Sequence, residues 1–197
     1  MSAPGATTVT AIVLAGGRSS RFGRDNLAEP FAGRTVLEQA IAAVAPLARE
    51  TIVVAAPDGR REVPAGVGVV RDARPFEGPL VGLLTGLRQA TQPVVILVGG
   101  DMPTLVETVL GVLLAGLEDP MIDGVTLDHE GRGRPLPGAL RTEPALRAAE
   151  RLVAGGERSL RALYGALGTA VIPEPAWRAL DPDGLTLRDV DTPADLG

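Results

Sequence analysis

Val9-Thr10-Ala11-Ile12-Val13-Leu14 runs straight into Ala15-Gly16-Gly17-Arg18-Ser19-Ser20-Arg21-Phe22-Gly23-Arg24-Asp25, and that junction decides the fold. A short apolar run rich in β-branched residues and closed by glycines has the pattern of a buried strand. Without polar alternation, such a strand is covered on both faces, as in parallel sheets. Glycines placed directly after it let backbone N–H groups approach a phosphate with no side chain between. Ser19 and Ser20 add hydroxyl donors. Arg18, Arg21 and Arg24 add guanidinium groups that grip phosphate oxygens in bidentate fashion. A Walker A loop is excluded because it needs a lysine, and glycines at 16, 17 and 23 do not make a Gly-x-Gly-x-x-Gly turn. Open α/β sheets bind ligands at the carboxyl ends of their strands, which makes this loop the first candidate site.

Outward from that loop, strands and helices alternate. Helical spacing covers Thr35–Ala48, with Thr35 or Arg34 near the cap. A strand follows at Thr51–Ala56, closed by the turn Pro57-Asp58-Gly59, then a strand at Val67–Val70 and a helix at Leu80–Thr91. Val94–Val98 is a fully apolar strand and Thr104–Leu117 a helix. After Glu118 the rhythm changes. Strands at Gly124–Asp128 and Leu136–Arg141 flank a Gly/Arg-rich turn at Gly131–Arg134. Helices near Glu143–Ala154 and Arg158–Leu167 and a strand at Thr169–Ile172 come next. The end, Asp181–Leu196, reads as loop with one short strand near Thr186–Val190. These elements predict the α/β class: one Rossmann-like domain over residues 1–197, with a flexible lead-in at 1–8. Its central sheet is mostly parallel with an antiparallel addition.

Composition narrows the chemistry. The chain has 197 residues, 45% hydrophobic and 22% charged, enough to bury roughly 70% of its unfolded surface without staples. It has no cysteine, which excludes a disulfide scaffold, a thiolate zinc site and a cysteine nucleophile. A single histidine removes the remaining common zinc sets. All 19 basic residues are arginine, so Schiff-base chemistry is excluded as well. Net charge −5 and a pI near 5.0 argue against nucleic acid as a partner. Met1–Thr10 lacks the basic and long apolar regions of a signal peptide. The longest apolar stretches, such as Val109–Leu117, fall far short of the ~20 residues of a membrane span. A soluble, cytoplasmic protein is expected.

The stretch from Leu14 to Asn26 resembles the signature LAGGxSxRxGxDK of the molybdenum cofactor guanylyltransferases, nucleotidyltransferases that act on molybdopterin. Gly16, Gly17, Ser19, Arg21, Gly23 and Asp25 match, and Asn26 stands where the family has lysine. Val94–Val98 followed by Gly99-Gly100-Asp101-Met102-Pro103 resembles the family's apolar strand and GDMP motif. Arg71-Asp72 with Gly78-Pro79-Leu80-Val81-Gly82 resembles its aspartate and GPLxG helix start, and Asp189-Val190-Asp191-Thr192-Pro193-Ala194-Asp195-Leu196 its Asn-Thr-Pro-Glu-Asp-Leu ending. The resemblance spans Val9 to Leu196. It implies a nucleotide site at Leu14, Ala15, Gly16, Gly17, Ser19, Arg21, Asn26, Asp72, Gly78 and Asp101, with Arg21 and Asp101 in the catalytic roles. It also implies Mg²⁺ held by Asp101 and Asp191, GTP as donor, a molybdopterin-type phosphorylated acceptor, and no membrane partner. Leu-Ala-Gly-Gly and GPLxG both mark the guanylyl branch rather than the cytidylyl one.

Each residue also has a plainer reading. Asp101 has the place of a cap for the helix expected at Thr104, and Asp72 that of an exposed carboxylate beside Arg71 or Arg74. Thr192-Pro193 is good helix-start chemistry whatever Asp191 does. His129 reads as a solvated turn residue, Trp177 as packing, and Arg132 and Arg134 as either a solvated turn or a contact to a pterin phosphate. The missing lysine leaves a second function open, a nucleotide-binding member with weak or no turnover, in which Asn26→Lys speeds the reaction. Transfer to another phosphorylated acceptor, of the cytidylyl or sugar-phosphate kind, is the third.

Overall fold

The apolar run forms strand β1 (Val9–Ala15) at the heart of a seven-stranded sheet, in a computed structural model that describes residues 8–16, 25–57, 62–72 and 77–196. The two-residue strands β2 (Pro30–Phe31) and β3 (Arg34–Thr35) pair as a small hairpin, too short for any periodicity to announce. Helix α1 (Val36–Val44) starts where the cap is expected. The Thr35 hydroxyl accepts the Glu38 N–H at 3.2 Å while Glu38 accepts the Thr35 N–H at 2.8 Å, a reciprocal capping box. It stops before Ala48 because Pro46 has no N–H to continue it, and Ala45–Leu47 tighten into a 3-10 turn.

Strands β4 (Glu50–Ala55) and β5 (Gly68–Arg71), helix α2 (Pro79–Leu87), strand β6 (Val94–Gly99) and helix α3 (Glu107–Ala115) follow. Both helices are shorter than their periodicity suggests. Past α2, Thr91 turns its N–H and hydroxyl to Glu50 at 2.7 and 2.8 Å, which starts the next strand. Ahead of α3, Thr104 donates to the Leu185 carbonyl and the Val106 N–H to the Thr186 hydroxyl. The helix therefore begins three residues late.

Strands β7 (Gly124–His129) and β8 (Arg132–Arg141), helices α4 (Thr142–Ala154) and α5 (Leu160–Gly165), strand β9 (Thr169–Ile172) and helix α6 (Glu174–Arg178) complete the chain. The sheet order is β5-β4-β1-β6-β8-β7-β9. β1 pairs parallel with β4 and β6, β4 with β5, and β7 with β9. β8 alone runs antiparallel, against both β6 and β7. This is the Rossmann-like α/β sheet with an antiparallel addition that the sequence predicts.

Alternation along the strands builds two cores. Val9, Ala11, Val13, Ile96 and Val98 face α1 and α3, while Ile12, Val95 and Leu97 face α2, α4 and α5. Three expectations need correction. The turn placed at Gly131–Arg134 is made by Glu130 (φ 54°) and Gly131 (φ 74°), and Arg132 to Arg134 already pair with β7. The register then jumps from Leu127↔Arg134 to Thr126↔Gly138, so Pro135 and Pro137, which lack a donor, sit in a bulge rather than in the ladder. Thr186 is no strand residue. It lies in a 3-10 turn (Leu185–Leu187), where Asp181 takes the N–H groups of Leu185 and Thr186 at 3.0 and 2.8 Å. His129 is not a solvated loop residue; it ends β7, partly buried, with Nδ1 3.6 Å from Glu174 Oε1. Trp177 packs as expected, fully buried, with its indole N–H donating to the Asp128 carbonyl at 2.8 Å.

Candidate functional site

The carboxyl ends of β1, β4, β5 and β6 face one way, and among the described residues Gly16, Asp72 and Asp101 follow β1, β5 and β6 there. Gly100 N–H donates to the Leu14 carbonyl at 2.9 Å, tying the end of β1 to the end of β6. Gly16 lies beside the end of β4 and beside Asp72: a Cβ on it would stand 3.5 Å from Ala56 N and 3.7 Å from Asp72 Oδ2. Gly17, Arg18, Ser19, Arg21 and Arg24 lie outside the described residues. Asp25 and Asn26 lie within them. Asp25 caps a 3-10 turn (Asn26–Ala28) by accepting the Leu27 N–H at 3.1 Å.

Asp72 follows β5 and is no loose surface carboxylate. Its N–H bonds the Ala55 carbonyl at 3.1 Å and its Oδ1 accepts the Thr85 hydroxyl at 2.8 Å. Burial raises its pKa above the ordinary aspartate value, opposed by the Thr85 hydrogen bond and assisted by Glu77. A Cβ at Gly82 would sit 3.5 Å from Asp72 Oδ2, so α2 approaches this carboxylate through a glycine. Gly78 opens that helix at φ 99°, with Pro79 in the first turn, and a Cβ there would lie 2.8 Å from the Arg158 Cβ. Gly78→Ala should therefore cost about 2–4 kcal/mol, from left-handed strain plus the clash, read as a lower denaturant midpoint with an unchanged slope.

Asp101 is not a helix cap, because α3 begins at Glu107 behind Val106. Its carboxyl is largely buried after β6, and a side chain at Gly99 would run into its Oδ1. Burial pushes its pKa up to about 6, with further upward pressure from the charges of Asp189 and Asp191. Asp189 itself is raised by burial, while Arg134, 3.5 Å away, pulls it back. Val190 between the two aspartates buries its side chain in the core, donates its N–H to the Asp101 carbonyl at 2.8 Å, and accepts the Asn26 Nδ2 at 2.6 Å. The closing Thr192-Pro193 turn forms as expected, a 3-10 helix (Pro193–Leu196) whose Asp195 carboxylate takes the N–H groups of Asp191 and Thr192.

Sequence reasoning gave no role to Asp189 or Thr85, while Arg134, read as a solvated turn or a pterin-phosphate contact, pairs with Asp189 at 3.5 Å. The first had a signal, since an acidic residue two before Asp191 flanks the same buried valine. The donor set of Asp101, Asp189 and Asp191 is all carboxylate, the ligand type of a hard divalent cation. Among the described residues no three acidic or histidine side chains converge into a ready-made cage. Mg²⁺ takes one or two carboxylates and completes its shell with phosphates and water, so Asp101 with one neighbouring aspartate has the chemistry to hold it.

A parallel sheet with two glycine-lined carboxylates at the carboxyl ends of its strands has the ligand-binding edge of an open α/β protein. Residues 11–174 match the model of the MobA-like NTP transferase domain. A probable molybdenum cofactor guanylyltransferase from Chloroflexus aggregans is 33% identical over 95% of this chain and 91% of its own. A molybdenum cofactor guanylyltransferase from Desulfosudis oleivorans is 31% identical over 95% and 92%. The crystal structure of molybdopterin-guanine dinucleotide biosynthesis protein A from Archaeoglobus fulgidus superposes with a TM-score of 0.77 over 95% of this chain and 94% of that one. At 22% identity, that superposition speaks to the fold. The chain belongs to the MobA-like NTP transferase domain family and is a nucleotidyltransferase. No described helix is long and apolar enough to cross a membrane.

Proposed function

We propose that this enzyme transfers GMP from GTP to the terminal phosphate of a molybdopterin-type acceptor in the cytoplasm. Pyrophosphate is released, and Mg²⁺ is held by Asp101 with Asp191. The observation that carries the reading is the placement of Gly16, Asp72 and Asp101 after β1, β5 and β6, at the carboxyl ends of parallel strands of one sheet with Gly16 beside Asp72, in a chain whose curated relatives bear the guanylyltransferase name.

A phosphate oxygen of the acceptor attacks the α-phosphorus of GTP. The new P–O bond forms as the bond to the β-phosphate bridge oxygen breaks, and pyrophosphate leaves with that electron pair. The attacking phosphate is already ionised near pH 7, so no general base is called for, and the work lies in positioning and charge neutralisation. Leu14, Ala15, Gly16 and Gly17 present backbone to the nucleotide, Ser19 and Arg21 take phosphate oxygens, and Asp72 with Gly78 seats the nucleoside. Bound Mg²⁺ supplies positive charge against the triphosphate and the leaving group.

Two binding measurements test this. A panel of nucleotides with Mg²⁺ should single out GTP by thermal shift, because a ligand at 100 times its Kd adds roughly 2.7 kcal/mol of stability. Arg21→Ala should weaken GTP about ten- to a hundredfold while leaving guanosine nearly unchanged, since a charge-assisted contact contributes about 1.5–3 kcal/mol. Equal losses for both ligands would mean that Arg21 shapes the loop instead of holding phosphate.

A further inference from the structure

Asn26 stands directly after the glycine- and arginine-rich loop, 7% exposed, and its Nδ2 donates to the carbonyl of Val190, 164 residues away, at 2.6 Å. The N–H of the same residue, Val190, donates to the Asp101 carbonyl at 2.8 Å, and its side chain packs in one core with Leu27. Val190 is thus held at both its backbone groups, by the residue that follows the loop and by the residue that follows β6. Asp189 and Asp191, on either side of it, press their charge on Asp101. Asp189 and Asp191 are exposed and Arg134 offsets Asp189 at 3.5 Å, yet both charges bear on the largely buried Asp101 carboxyl, and like charges repel. A buried amide-to-carbonyl bond resists that push, and its loss leaves a buried carbonyl without its donor.

We propose that Asn26 is a positioning residue for the cation: its amide holds the Val190 strap so that Asp189 and Asp191 stay beside Asp101. This rests on the reading of Asp101 as the cation's ligand. The cation's site is in this way built from three distant parts of the chain, the segment at Asn26, the end of β6 and the strap at Val190. Asn26 then acts on the metal through Val190.

Mn²⁺ binding by calorimetry, without nucleotide, tests it on four proteins: wild type, Asn26→Ala, Asn26→Leu and Asp101→Asn. Asn26→Leu keeps nearly the size and branching of the side chain, loses the donor and adds no charge, and it covers the case in which alanine fails to fold. Both Asn26 variants should bind Mn²⁺ about tenfold or more weakly, the loss expected from one buried hydrogen bond. In turnover they should need at least about tenfold more Mg²⁺ to reach half-maximal rate, a shift that a general loss of folded protein, which lowers kcat without moving the Mg²⁺ demand, does not produce. Asn26 variants that bind Mn²⁺ like wild type, while Asp101→Asn does not, overturn the Asn26 proposal and leave the metal reading standing. Asp101→Asn binding Mn²⁺ like wild type overturns both. A rise confined to KM for GTP makes Asn26 a phosphate contact and overturns the strap.

Discussion

Asp101→Asn should stabilise the metal-free protein and abolish Mg²⁺-dependent turnover in the same stroke. An aspartate whose folded-state pKa is raised to about 6 from 3.8 is penalised on folding once the unfolded chain ionises. The penalty is absent below about pH 4, grows as pH rises toward 6, and is constant above, where it reaches up to about 3 kcal/mol. Removing the charge removes the penalty. The variant should therefore melt later than wild type at pH 8 without metal, and the gap should close as pH falls through 6 toward 4. Mg²⁺ with GTP should raise the Tm of wild type and leave the variant almost unmoved. Turnover should fall at least about a thousandfold, the consequence of losing several kcal/mol of charge stabilisation at the phosphates. Unshifted melting at pH 8, or turnover at the wild-type rate, would return Asp101 to an ordinary turn residue.

Asn26→Lys carries the second large effect, and its direction separates two accounts of the same position. Judged from the motif alone, a lysine restores charge beside the phosphates and speeds transfer about ten- to a hundredfold. The hydrogen bond from Asn26 to Val190 leads to the opposite expectation. Position 26 is buried against Val190, between the aspartates at 189 and 191, so an ammonium placed there neutralises the cluster and competes with the divalent cation. We expect the lysine variant to need at least about tenfold more Mg²⁺ and to be no faster at saturation, a change equivalent to about 1.4 kcal/mol or more in metal binding. Steady-state pyrophosphate release across a Mg²⁺ titration checks this. A lysine variant with higher kcat at unchanged Mg²⁺ demand would show that the side chain at 26 reaches the phosphates.

Much of this molecule is legible in its sequence because its strands are apolar and its helices well punctuated. β1, β4 and β6 could be read residue by residue, since fully buried parallel strands have little else to be. Thr35 and Glu38 announced α1 through the capping box. Three of the misreadings come from hydrogen bonds that override local pattern, two of them long-range. Thr91 is claimed by Glu50, Thr104 by Leu185 and Thr186 by Asp181, and each moved an element boundary or replaced a strand with a turn. The site shows the same division. Gly16, Asp72 and Asp101 stand out in the sequence as a glycine and two carboxylates close behind apolar runs, and the structure places them after β1, β5 and β6. The amide of Asn26 does not stand out, because its partner is 164 residues away and is a backbone carbonyl, which leaves no side-chain signature.

The most direct test of guanylyl transfer is pyrophosphate release by the purified chain given GTP, Mg²⁺ and molybdopterin, with CTP and the omission of acceptor as controls. The account predicts one pyrophosphate per guanylated acceptor, dependence on the acceptor, preference for GTP over CTP, and loss of the signal in Asp101→Asn. Tight, saturable GTP binding with no pyrophosphate, or release that prefers CTP or ignores the acceptor, would contradict it.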